Sequence, residues 1–87
     1  MVARSVVERK LAGCANIFPG AKSFFLWEGA VKEEAETIVI FKTQEKQWIG
    51  IRDAIKNAHP YEVPVIASIP MKDANANFLE WLDDQVS

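Results

Sequence analysis

The stretch KSFFLWEGA at residues 22–30 decides how this chain folds. It is rich in strand formers and closes with residues that favour a turn. Side chains alternate across a strand, so Phe24 and Leu26 share one face. Phe25 and Trp27 share the other, and both faces are therefore apolar. Such a strand is either central in the protein or covered by a partner subunit. We favour the partner, because 87 residues leave little chain to cover it.

The second arm of a hairpin follows this stretch. The chain is predicted to turn at Gly29-Ala30 and to return over residues 34–43, with an apolar centre at 37–41. Three carboxylates near the turn could perform acid–base chemistry or hold a cation. A solvated hairpin tip is the favoured interpretation, since no other polar group is tied to them. These carboxylates are Glu33, Glu34 and Glu36.

Three helices and two further strands complete the prediction. A core-facing stripe is expected on the middle helix, formed by Trp48, Ile51, Ile55 and Ala58. When the short strand over 15–18 is counted with the first hairpin arm, the order is helix, strand, strand, helix, strand, helix, an α+β pattern. It is what remains of a ferredoxin-like βαββαβ sandwich when the opening strand is absent. The elements are a helix over 2–13 stopped by Gly13, a strand over 15–18 ended by a Pro19-Gly20 turn, a helix over 44–58 capped by Thr43, a strand over 65–69, and a last helix capped by Asn75 or Asn77.

Composition and charge exclude several classes of protein. The length predicts a single domain over residues 1–87. Ten Lys and Arg against twelve Asp and Glu give a net charge of −2 without a basic stripe, so nucleic acid is not an expected partner. The apolar runs are too short to span a membrane. The single cysteine forms no internal disulfide, and a cytoplasmic location is the expectation.

The titratable side chains are few, with one His, one Cys and one Tyr. Cys14 and His59 could form a nucleophilic pair, but an inert buried thiol is favoured. His59 and Glu62 flank a rigid Pro60-Tyr61 pair, and a partner subunit could complete a copper or zinc site there. The conservative alternative is that His59 bonds a backbone group and only fixes the turn. The same stiff segment could line a cleft.

Five sequence blocks together resemble the CutA divalent-cation tolerance family. The similarity runs from about Val7 to Trp81, and the order of the blocks makes it specific. The blocks are LAGCANIFPG at 11–20, Ser23 with WEG at 27–29, FKT at 41–43, HPYEVP at 59–64, and Asn75 with FLEW at 78–81.

The resemblance implies a ferredoxin-like, PII-like antiparallel sheet with helices on one face, assembled as a homotrimer. It implies a role in divalent metal ion tolerance, with copper or zinc as the candidate cation and no enzymatic activity. His59 and Glu62, and more weakly Cys14, are then the candidate metal ligands. Tyr61, Lys42, Trp27 and Trp81 are the residues expected to line a ligand cleft.

Two departures from the family pattern bear on these expectations. The chain opens inside the first helix, so the usual first strand is missing. Either the final strand moves over, a neighbour fills the slot, or the chain is truncated. Of the copper ligands suggested in some members only His59 is retained by position, because Ala58 precedes it and Cys14 is a different cysteine.

Two other functions remain open. One is a PII-like signalling scaffold that binds a small anion or a partner protein at the intersubunit cleft, with Lys42 as the cation. The other is a small hydrolase of the acylphosphatase kind, which shares the fold but needs a phosphate cradle that this sequence does not display.

Overall fold

The computed structural model describes residues 2–58 and 65–86. Over these residues the chain forms three α-helices, one short 3-10 helix and one long β-hairpin. In chain order these are α1 (Val2–Glu8), β1 (Cys14–Trp27), β2 (Ala30–Lys42), the 3-10 helix (Glu45–Gln47), α2 (Trp48–Ala58) and α3 (Ala76–Gln85).

A two-residue turn joins the arms of the hairpin. Trp27 pairs with Ala30, so the turn residues are Glu28 and Gly29. Both have positive φ, 50° and 79°, as in a type I′ turn, whose twist matches that of the flanking strands. The turn predicted at Gly29-Ala30 is therefore one residue late, and the second arm begins at Ala30 rather than at residue 34.

The sequence predicted that Pro19-Gly20 ends a strand, and this prediction is wrong. β1 continues through it, and the pairing advances three residues from Phe18 to Ala21 while β2 advances two, from Ile38 to Glu36. The extra residue is a β-bulge, a place where proline's missing N–H costs no ladder hydrogen bond. Gly20 accommodates the bulge with a φ of 77°. One bent strand replaces the two predicted ones.

The core lies where α1 and α2 cover the base of the hairpin. Val6, Ala12 and Ile51 form a buried cluster, and Phe41 packs against it from the sheet. Burial of a side chain as large as Ile51 stabilises the fold by about 1.5–3 kcal/mol. β2 runs without a bulge, so its odd-numbered residues share the face of Phe41 and its even-numbered residues share the opposite face. α1 and α2 thus lie on one face of the sheet, as predicted.

α1 ends earlier than its apolar pattern predicts. Leu11 N donates to Val6 O at 3.1 Å and Lys10 N donates to Val7 O at 3.0 Å. With Lys10 at a φ of 60°, this is a Schellman termination. The helix stops at Glu8, so Gly13 is not its terminator. A Cβ at Gly13 would lie 2.7 Å from Leu82 Cδ1, and the glycine serves packing against α3 instead.

The entry to α2 also differs from the prediction. The Thr43 side chain does not cap the helix, because its Oγ1 donates to Leu11 O at 2.5 Å. The chain enters α2 through the 3-10 helix, with Gln44 as a cap residue that makes no side-chain capping bond. Of the predicted stripe, Ile51 is buried and Ile55 packs beside it, whereas Ala58 is exposed. α3 begins after Asn75, as predicted.

The predicted strand over 65–69 is absent. These residues form no regular secondary structure, and Val65 and Ile69 are 93% and 88% exposed. Across the described residues the sheet contains only β1 and β2. Residues 65–69 therefore do not pair with β2, and the outer edge of β2 has no strand beside it in the described chain.

Candidate functional site

A long cleft runs along β2, and we call it the β2 cleft. Its volume is about 1810 Å³, and it is lined by β2, by one side of α2 and by residues 65–74. Trp27 and Lys42 both line it, at opposite ends of the hairpin. The walls are mostly apolar, while charged side chains lie toward the two ends. The expected cleft residues Trp27 and Lys42 thus share one cavity.

A cluster at the base of the hairpin holds three of the residues singled out in the sequence. Lys42 lies directly opposite Cys14 in the strand pairing. Its Nζ atom lies 5.9 Å from the centroid of the Phe78 ring, within reach of a cation–π interaction. Phe78 stacks with Trp81 at a centroid distance of 6.1 Å. α3 thereby brings Trp81 to the same region as Cys14 and Lys42.

Cys14 is a free, half-buried thiol. Its Sγ donates a hydrogen bond to Asn16 Oδ1 at 3.7 Å, two residues along the same strand. The thiol also borders a smaller groove of about 420 Å³ between α1 and β1. There Arg4 and Glu8 form an exposed ion pair, with Nε and Oε1 2.6 Å apart. Cys14 is thus accessible enough to act as a ligand.

Gln44 is a residue that the sequence pattern did not single out. Its Nε2 donates to Asp83 Oδ1 at 2.6 Å, which ties the end of the hairpin to α3. Its Oε1 is buried and accepts no hydrogen bond within the described residues. A buried acceptor without a partner costs about 1–3 kcal/mol. Gln44 is also one of the residues that line the β2 cleft.

The candidate metal ligands His59 and Glu62, and the candidate cleft residue Tyr61, lie outside the described residues. Over residues 2–58 and 65–86 no three His, Cys, Asp or Glu side chains form a group that could hold a metal ion. The acidic run near the turn illustrates why. Glu33 lies on one face of β2, where its Oε1 is 3.1 Å from Lys22 Nζ, and Glu34 lies on the other. The solvated hairpin predicted for this run agrees with that geometry.

Comparison with known families gives a match over almost the whole chain. Residues 1–85 match the family model described as CutA1 divalent ion tolerance protein. The divalent-cation tolerance protein CutA of Archaeoglobus fulgidus is 41% identical over 85 residues, which cover 98% of this chain and 82% of that protein. The human protein CutA is 35% identical over 81 residues, 93% of this chain and 46% of that protein. The chain thus spans about half the length of its human relative.

Solved structures of such proteins superpose closely on this chain. A periplasmic divalent cation tolerance protein CutA from Archaeoglobus fulgidus gives a TM-score of 0.94 at 41% identity, over 99% of this chain and 83% of that one. The divalent cation tolerance protein of Thermus thermophilus gives 0.93 at 35% identity, over 99% and 84%. The fold is therefore α+β and ferredoxin-like, as the sequence predicted.

Within the described ranges, no helix combines the length and the apolar character needed to cross a bilayer.

Proposed function

This chain belongs to the CutA1 divalent ion tolerance protein family, and on that premise we propose that it acts in tolerance or response to divalent metal ions. We propose further that it works as a homotrimer that binds copper or another divalent cation and catalyses no reaction. The observation that carries the proposal is the family match over residues 1–85, joined to relatives that are themselves named for divalent-cation tolerance.

The hairpin supports the proposed assembly. Phe24 and Leu26 are 64% and 75% exposed, and Val31 beside them is exposed as well. Leu26 and Val31 are direct cross-strand partners, so they form a continuous apolar surface with Phe24 on one face. Apolar patches of this kind on a soluble chain mark interaction surfaces. Copies of the same chain would cover both arms.

The proposed metal site uses His59 and Glu62, with Cys14 as a weaker third ligand. His59 carries the only imidazole of the chain, and imidazole, thiolate and carboxylate together suit copper or zinc. The described residues contain no group of three such ligands, so the proposed site depends on residues 59–62 or on a partner subunit. Cys14 is half-buried and bonded to Asn16, which favours a supporting role.

Calorimetric titration of Cu²⁺ and Zn²⁺ tests this site. We expect binding tighter than millimolar, and a loss of about tenfold or more in His59→Ala. Glu62→Gln is expected to weaken binding less, because one carboxylate is easier for water to replace than the only imidazole. Glu8→Gln is the matched control, since this exposed carboxylate already pairs with Arg4. Unchanged affinity in His59→Ala would contradict the proposed ligand set.

The single cysteine bears on the cellular location of the protein. We propose a cytoplasmic protein, because a single half-buried thiol without a disulfide partner suits a reducing compartment. The archaeal relative is described as periplasmic, so the two compartments are genuine alternatives. Fractionation of the native host distinguishes them: the proposal expects the protein with the cytoplasmic marker enzymes.

A second candidate function rests on Lys42. Among the described residues it forms no salt bridge, and its ammonium borders both the β2 cleft and the Phe78 ring. An unpaired cation in a cleft suits a small anion, as in a PII-like signalling scaffold. Thermal-shift screening of nucleotides and carboxylates tests this. Stabilisation that is lost in Lys42→Ala, retained in Lys46→Ala and insensitive to chelators would favour this function over metal binding.

A further inference from the structure

We draw no further inference here: the strongest candidate, the apolar patch that Phe18, Ile38 and Ile40 form on the face of the hairpin away from Phe41, is about half exposed in the single chain, and nothing in the structure shows what covers it.

Discussion

The base and the tip of one hairpin both carry large apolar side chains but differ in what covers them. At the base, Phe41 lies against α1 and α2 within the core. At the tip, Phe24 and Leu26 are exposed and contact no helix cluster. Strand-forming residues made both halves extended, yet only the base acquires a packed face within one chain. Extended structure is thus encoded locally, while burial depends on which surface is available to pack against.

The largest difference in unfolding free energy is expected between a substitution in the core at the base and one at the exposed tip. Ile51→Ala removes a buried side chain from the base, and we expect it to cost about 3 kcal/mol of unfolding free energy. Leu26→Ala removes an exposed one, and for dissociated chains it should cost about 0.5 kcal/mol or less. Urea unfolding at low protein concentration measures both. Equal costs would mean that the tip is packed within the single chain.

Two glycines sharpen the comparison at the base. A Cβ at Gly13 would lie 2.7 Å from Leu82 Cδ1 and 3.2 Å from the Trp81 ring, so Gly13→Ala should cost about 1–3 kcal/mol. Gly50 lies in α2, where a Cβ meets Leu11 at an ordinary 3.4 Å. Gly50→Ala should therefore stabilise the chain by about 0.5–1 kcal/mol through helix propensity. Thermal unfolding of the two variants measures whether their changes in stability have opposite signs. Destabilisation by both substitutions, or by neither, would contradict the packing of Gly13 against α3.

A third test, whose largest expected effect is about 1 kcal/mol, uses two residues with positive φ. Lys10 ends α1 at φ 60°, and Glu28 forms the hairpin turn at φ 50°. Lys10→Gly removes the Cβ strain of this conformation and should stabilise the chain by about 1 kcal/mol. Glu28→Asn creates the preferred Asn-Gly turn and should add about 0.5 kcal/mol. Denaturant midpoints measure both gains, and a loss at either position would show that the backbone there differs from the structure.

Local signals predicted the elements that depend on neighbouring residues. The strand-forming run around Phe24 was predicted correctly. α3 begins after Asn75, one of the two predicted cap residues, although Asn75 makes no side-chain capping bond. The turn predicted at Pro19-Gly20 was wrong, because the same dipeptide occurs in turns and in β-bulges. Only the register of the opposite strand distinguishes the two. Residues 65–69 have the composition of a strand, but pairing is non-local, and no strand lies beside them in the described chain.

The candidate site was less predictable than the fold. Lys42 and Trp27 line the β2 cleft because both belong to the hairpin that the sequence defines, and their role as ligand-cleft residues stays a prediction. No sequence pattern indicated Gln44, because the feature that distinguishes it is the burial of a single side-chain oxygen atom. The metal ligands at 59 and 62 stay a prediction, because they lie outside the described residues.

Because the apolar side chains at the tip of the hairpin are exposed, assembly with further copies of the chain is the central claim. Sedimentation of the full chain tests it most directly. We predict a particle of about three times the 9.8 kDa chain mass. Phe24→Glu combined with Leu26→Lys should sediment as a single chain with its circular dichroism retained. Ile49→Lys, an equally exposed position on α2, should leave the trimer intact. A parent protein that sediments as one chain, or a double variant that stays trimeric, would contradict the account.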